Sequence, residues 1–526
     1  GGRRLNQPAR TLAAWPMAAL LAALGALHGL AFALPGALAM LAGPIQILLF
    51  ALAWYWLGDR TPRRTGLLAL AFGVGHFVTG LAWLYISMHD FGGMHGALAA
   101  AAVVLLSLYL ALYGALALSG AAWWAQRTAS RRPARTACIV AACWGLGEIA
   151  RGFVLTGFPW LATGYAHIDA PWQGLAPLVG SYGLGVIGVL IAVWLAELLR
   201  APRPAGATGR PWPSAAALLI VIAAASASSL LDWGTPVGAP VSVRLTQGNV
   251  PQSMKFDAER SARATADYLT MIADSQAALT VLPETAFVRP LSTQPGDTRS
   301  ALAAALRANG GQVAIGLPAF STDAQARRNP RIRLTNSIIT LSADGEPVNR
   351  FDKRHLVPFG EYIPYGFAWF VNLMNIPLGE FGRGHDDQAP LTVAGRQFAF
   401  NICYEDLFGE ELAIQVRDGA NVLINVSNIA WFGNSHALPQ HLSISRMRAL
   451  ELARPMLRAT NTGVTASIDH RGNVLAALPV YQQDVLDIAV QPSAGLTPFA
   501  RLGMLAPLLL IGLLGLVALL PGRRNR

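Results

Sequence analysis

Three residue types stand out in this 526-residue chain by rarity or place. Of its three cysteines, Cys138 and Cys143 fall in a long apolar run, where small packing residues are the ordinary reading. Cys403 differs: in Asn401-Ile-Cys-Tyr-Glu-Asp-Leu-Phe it closes a predicted strand and opens a predicted helix. Unpaired N–H groups and the helix dipole at such a turn favour a thiolate, the nucleophilic form. Taken alone, a buried core cysteine reads equally well. Lysine is rarer still, Lys255 and Lys353 standing against 38 arginines. A chain that uses arginine for nearly every positive charge keeps lysine where a compact, titratable ammonium is needed. Lys353 follows a predicted strand in Asn349-Arg-Phe-Asp-Lys-Arg-His, whereas Lys255, in a loop before a helix, reads as a solvated charge. Glu284 ends the apolar strand Val281-Leu-Pro-Glu, where a carboxylate near a thiol can take its proton. By itself such a residue is more often a loop or capping group.

The elements that must carry these residues alternate. Strand patterns begin at 241, 278, 312, 337, 397 and 421, and helical spacing covers 257–276, 298–309, 405–418 and 437–453. Alternation of this kind gives a layered α/β domain. Segment 365–379 is too short to span a bilayer and unusually aromatic for a surface loop, which makes it a candidate lid or lipid-dipping arm beside the reading of an interfacial packing loop.

Outside that domain the chain is apolar: 53% hydrophobic and 13% charged overall, with mean hydropathy +0.40. Such a composition excludes disorder and a purely cytosolic protein. The net charge of +11 sits at the two ends. Residues 1–231 hold fourteen arginines against five acids, a net +9, while 232–500 are nearly neutral. A nucleic-acid surface needs its cations clustered on a folded face; here they punctuate apolar runs, so no nucleic-acid partner is expected. Spans of bilayer length are predicted near 12–29, 36–57, 66–86, 95–121, 136–153, 178–199, 213–231 and 502–520, about eight in all. Every second connection is arginine-rich, and those at 30–35, 87–94 and 154–177 contain no Lys or Arg. Basic loops stay cytoplasmic, so both termini are expected inside and residues 232–500 outside. The opening Gly1-Gly2 reads as a cleavage scar, and the first span as an anchor rather than a signal peptide.

Around Glu284, Lys353 and Cys403 the chain resembles the nitrilase superfamily. Together with the predicted spans, the motifs Gly157-Phe-Pro-Trp-Leu, Gln247-Gly-Asn-Val-Pro-Gln, His355-Leu-Val-Pro-Phe-Gly-Glu-Tyr-Ile-Pro, Ile402-Cys-Tyr-Glu and Arg446-Met-Arg-Ala-Leu-Glu-Leu-Ala-Arg-Pro are similar to the membrane-embedded apolipoprotein N-acyltransferase family. The resemblance implies a four-layer α-β-β-α sandwich at 232–497, between a seven-helix membrane domain at 1–231 and a final helix and tail at 498–526. It implies Glu284 as general base, Cys403 as nucleophile and Lys353 as oxyanion cation. Glu361 and Glu405 match supporting acids, and Tyr404 and Trp431 match aromatic positions lining the family's site. Implied too are a bacterial inner-membrane location with a periplasmic catalytic domain, a phospholipid acyl donor and a diacylglyceryl-cysteine apolipoprotein acceptor. One departure is Ile429 in Asn425-Val-Ser-Asn-Ile-Ala-Trp, where the family pattern has an acid. The histidines show no ligand-like spacing and the chain no phosphate loop, so neither metal nor soluble cofactor is expected. Two other readings remain at this stage. One is a membrane-anchored nitrilase-type amidase; the other is a transporter or sensor using Glu148 and Arg151, a pair whose place at a span's outer end instead lets Arg151 reach the interface.

Overall fold

A computed structural model describes residues 14–128, 132–200, 212–251, 258–322, 333–367, 369 and 380–520. The amino terminus, the carboxyl-terminal tail, Lys255 and most of segment 365–379 lie outside the described residues.

The leading region is helical: α1 (Ala14–Leu30), α2 (Ala42–Leu57), α3 (Pro62–Gly80), α4 (Trp83–Ile86), α5 (Gly96–Arg127), α6 (Pro133–Phe153), α7 (Ala176–Arg200) and α8 (Trp212–Ala227). Among the described residues six helical segments are long and apolar enough to cross a membrane. A seventh results if α3 and Trp83–Phe91, bent by 52°, form one span. A further apolar helix, Leu505–Leu519, packs against α6 and α7 near the chain's end. Prolines open α3 and α6, where the missing N–H costs nothing.

The polar region contributes, first, β1 (Thr235–Pro236), β2 (Val241–Gln247), β3 (Leu279–Val281), β4 (Gln312–Phe320), β5 (Leu334–Leu341), β6 (Pro347–Asp352) and β7 (Phe381–Gly382). Then come β8 (Leu391–Val393), β9 (Arg396–Ile402), β10 (Val422–Ser427), β11 (Met456–Thr460), β12 (Ala466–Ile468), β13 (Val474–Ala477), β14 (Asp484–Val490) and β15 (Ser493–Ala494). One sheet runs β14-β2-β3-β4-β5-β6 with β7 beside β5, and a second runs β13-β12-β11-β10-β9-β8. Side-chain alternation sorts their faces. Val243, Leu245, Val281 and Ala314 share one core with Phe398, Phe400, Ile424 and Leu457 of the other sheet. Val313, Ile315 and Leu317 turn away to meet Tyr268, Ile272, Leu302 and Leu306 of helices α9 (Ala258–Ala273) and α10 (Gly296–Asn309). Ala399, Leu423 and Met456 turn away likewise, onto Leu412 and Val416 of helix Gly409–Arg417 and Ala449 and Leu452 of helix Ala437–Leu452.

The predicted strands and helices all appear. The expected helix 405–418 is split, with a 3-10 turn at Cys403–Leu407 and an α-helix only from Gly409. The strands after 455 carried no expectation: β11 and β12 are buried but only five and three residues long, and β13 and β14 have mostly half-exposed or exposed side chains and lack a continuous apolar face.

Candidate active site

Glu284 lies just past the end of β3, in a chain reversal that β4 allows by passing closely beneath it. A Cβ on Gly316 of β4 would stand 2.2 Å from the Pro283 carbonyl oxygen and 2.8 Å from the Glu284 Cα. Lys353 follows β6, its backbone N–H bonded to the Asn336 carbonyl of β5 at 2.8 Å. Both side chains are buried and meet: Lys353 Nζ donates to Glu284 Oε1 at 3.3 Å and to Glu361 Oε1 at 2.9 Å. Two buried carboxylates flanking one buried ammonium hold it charged. Burial alone depresses a lysine, but the fields of Glu361 and Glu284 outweigh it and raise Lys353 above its ordinary value.

Asn336 completes the cluster, its Nδ2 lying 2.7 Å from both Glu284 Oε1 and Glu361 Oε1. Glu284 Oε2 accepts the Asn428 backbone N–H at 2.8 Å, and Glu361 Oε2 that of Val357 at 2.8 Å. The sequence reading missed Asn336 and Asn428. Asn336 lies between Thr335 and Ser337 in β5, so nothing in the local sequence sets it apart.

Cys403 stands where β9 ends, half-buried, with left-handed backbone (φ 52°). A non-glycine residue so placed is strained, and such strain concentrates at functional sites. Its carbonyl accepts from Asn425 Nδ2 at 3.1 Å. Glu405 ties this turn to the Lys353 segment: Oε2 accepts the Ile402 N–H at 2.6 Å, while Oε1 accepts those of Arg354 at 2.6 Å and His355 at 3.1 Å. Burial nevertheless pushes Glu405 up to about 7, against those N–H groups and the Lys353 charge.

The expectation of a helix-stabilised thiolate is corrected. Burial pushes the Cys403 thiol well above its ordinary range, the Glu284 charge adds to this, and Lys353 counteracts only part. No α-helix begins at Cys403 to offer its dipole, since helix Gly409–Arg417 starts six residues later. The Glu405 bonds to Ile402, Arg354 and His355 set the Cys403 turn beside the Lys353 segment, and Lys353 in turn meets Glu284.

The two aromatic residues have different neighbours. Tyr404 is buried beside Cys403, and its hydroxyl donates to the Gly157 carbonyl of the membrane domain at 3.0 Å. Trp431 has its ring contact with Phe91, 6.3 Å between centroids, while neighbouring Phe432 packs on Trp83. Ile429, the departure from the family pattern, is buried against Gly463 in an apolar role. Glu148 and Arg151 do not reach an interface. Both are buried, with Arg151 donating to the Phe158 and Trp160 carbonyls at 2.6 and 2.8 Å, and Glu148 accepting the Thr163 N–H at 2.9 Å. These three backbone bonds, from and to the segment after α6, satisfy the pair and fix that end of α6.

A second buried cluster lies behind the cysteine. Asp406 accepts from His441 Nε2 at 3.1 Å, from the Ser445 hydroxyl and from Arg458 Nη1 at 3.4 Å. Arg458 also meets His441 Nδ1 at 3.2 Å; guanidinium only donates, so His441 carries its proton on Nε2. This network anchors the Cys403 turn to helix Ala437–Leu452 and to β11.

Residues 242–498 match the Carbon-nitrogen hydrolase family, and residues 24–194 match the Apolipoprotein N-acyltransferase N-terminal domain. The Apolipoprotein N-acyltransferase of Bordetella bronchiseptica is 42% identical, with 99% of each chain covered. That of Ralstonia nicotianae is 46% identical over 94% of each. Among solved structures, an amidase from Nesterenkonia sp. is similar at 20% identity, with a TM-score of 0.36 over 49% of this chain and 93% of that one. Matched from end to end by such relatives, and carrying an apolar helical region joined to a nitrilase-type domain, this chain belongs to the apolipoprotein N-acyltransferase family.

Proposed function

We propose that the protein transfers a fatty acyl chain from a membrane phospholipid to the α-amine of a diacylglyceryl-modified N-terminal cysteine, through a thioester on Cys403. The observation that carries this reading is the buried Glu284–Lys353–Glu361 cluster, tied through Glu405 to the turn of a strained, half-buried cysteine, in a domain seated on apolar helices. Glu284 takes the thiol proton as sulfur attacks the ester carbonyl, and Lys353 stabilises the resulting oxyanion. Collapse expels a lysophospholipid, its leaving oxygen reprotonated from Glu284. The acceptor amine then attacks the thioester, Glu284 takes a proton from it, and the thiol leaves as the amide forms. Two displacements on one nucleophile make the mechanism ping-pong. Glu361 and Glu405 hold the cluster and the turn, and Tyr404 and Trp431 line the approach from the membrane side.

The same reading has two sheets sandwiched by helices as four layers, over residues 232–497. It has about eight spans, seven before that domain at 1–231 and one after it at 498–526, in a bacterial inner membrane. Both termini face the cytoplasm and the catalytic domain faces the periplasm, as the alternating arginine-rich loops favour. Both substrates are lipids, which gives the helical region its purpose. A nitrilase-type amidase is the weaker alternative, since it uses water where this site would use an amine.

Incubation with phospholipid vesicles and a diacylglyceryl-cysteine peptide tests the proposal. The wild type should give a hydroxylamine-stable amide on the peptide, and Cys403→Ala none, while remaining folded. Lys353→Arg should also fail, because a bulky guanidinium does not replace a compact ammonium at the oxyanion. Acyl transfer by Cys403→Ala, or ammonia release from small amides without peptide acylation, would contradict it.

A further inference from the structure

Three side chains, each a neighbour of a proposed catalytic or supporting group, reach one short turn of the membrane domain. Tyr404, next to Cys403, donates to the Gly157 carbonyl at 3.0 Å. His355, two residues beyond Lys353, meets the Thr156 carbonyl through Nε2 at 2.9 Å. Tyr362, next to Glu361, shares a 2.8 Å hydrogen bond with the Thr156 hydroxyl. The turn is left-handed at Leu155 (φ 55°), Thr156 (φ 71°) and Gly157 (φ 83°). Such backbone costs about 1–3 kcal/mol at each non-glycine residue and persists only where its surroundings hold it. Gly157 admits no side chain, since a Cβ would lie 1.8 Å from the Gly152 carbonyl oxygen.

His355 is the central member. Its ring stacks on Phe408, 3.4 Å between centroids at 17°. Nδ1 faces the Glu411 carboxylate at 3.2 Å while Nε2 faces the Thr156 carbonyl. Both partners are acceptors, so each bond requires a proton on its own nitrogen. The backbone N–H of His355 goes to Glu405, whose other oxygen holds the end of β9 at Ile402. One residue therefore connects the Lys353 segment, the Cys403 turn and the outer end of α6.

We infer that His355 is a positioning residue for acyl transfer, clamping the Lys353 segment and the Cys403 turn onto the Thr156–Gly157 turn of the membrane domain. The inference rests on the reading of Cys403 as the nucleophile. It makes the end of a membrane helix part of the frame that fixes nucleophile against oxyanion cation, so that the site is complete only when the catalytic domain is seated on the membrane domain.

His355→Phe keeps the stack on Phe408 and removes both ring hydrogen bonds. In the full-length protein with phosphatidylethanolamine and phosphatidylglycerol vesicles, it should lower the maximal rate of Cys403 thioester formation by about tenfold or more, as expected for a misplaced reacting group. The half-saturating donor concentration and melting temperature should stay unchanged. Amide hydrogen exchange in 153–158 and 403–408 should quicken. Glu411→Gln should give a smaller loss that adds nothing to His355→Phe, because both break one clamp. Wild-type acylation and exchange in His355→Phe would overturn the inference, as would a variant that loses donor affinity and stability in step with rate. A wild type that forms no thioester, alongside quickened exchange in His355→Phe, would instead strike the nucleophile reading and leave the clamp standing.

Discussion

At the scale of single residues the site is a balance of charges. Burial opposes ionisation of Cys403 most, the Glu284 charge adds to it, and Lys353 favours ionisation. Glu284→Gln removes the opposing charge, so the resting thiol should ionise more readily and react severalfold faster with iodoacetamide at pH 8, while acyl transfer is lost with the base. Slower alkylation in that variant would contradict this balance, and retained transfer would remove Glu284 from the mechanism. Glu405 sets a pH dependence of definite sign. Raised to about 7, it is ionised above that pH, where its two oxygens accept from Ile402, Arg354 and His355. Because burial raises this carboxyl, the folded turn favours its protonated form, and that stability is present below the ordinary carboxylate value and lost as pH rises through about 7. The thermal midpoint in detergent should therefore fall with pH over that window, and Glu405→Gln, which mimics the neutral form, should flatten the fall; an unchanged slope would assign it to another group.

At the scale of elements, helix Ala437–Leu452 does more than cover a sheet. Where α3 breaks, the Gly80 carbonyl accepts from Gln440 Nε2 at 3.0 Å, and Gln440 Oε1 accepts from both Trp83 and Trp160, at 3.1 and 2.9 Å. Where α7 kinks at Gly180 (φ 68°), the Ser181 N–H finds Glu451 at 3.0 Å. Broken membrane helices survive only if their freed backbone groups are satisfied, and here one helix of the catalytic domain satisfies both. Gln440→Ala should lower stability by about 3 kcal/mol, the order of a few buried groups left unpaired. Thermal unfolding in detergent measures this, and an unchanged midpoint would deny the helix that role. The alternation of strands and helices was legible because β2, β4, β9 and β10 have strong apolar runs. Of the strands after 455, β13 and β14 were hidden by their exposed faces and the buried β11 and β12 by their shortness and the polar Arg458, Thr460 and Ser467, and the 3-10 turn at Cys403 by polar residues whose partners are remote in sequence. Glu284, Lys353 and Cys403 could be singled out by rarity and place. Asn336 and the Asp406–His441–Arg458 network could not, because their roles exist only once distant segments meet.

At the scale of the molecule, apolar helices and catalytic domain are joined by buried and part-buried polar contacts rather than by a linker alone. Arg446 forks onto Asp169 at 2.9 and 2.5 Å, and Arg448 meets the Ser181 hydroxyl at 3.0 Å. The spacing of apolar runs and arginines announced the membrane region. It gave no hint that Glu148 and Arg151 brace the loop against which Tyr404 rests, since each bond of that pair depends on how the loop folds back. The account's central claim is a covalent one: that Cys403 carries the acyl group between donor and acceptor. Intact mass and peptide mapping of protein purified from native membranes, or after incubation with phospholipid, test it most directly. The account predicts one fatty acyl group on the peptide containing Cys403, removed by hydroxylamine and discharged by a diacylglyceryl-cysteine peptide. An unmodified Cys403 under conditions where the peptide still becomes acylated would contradict it.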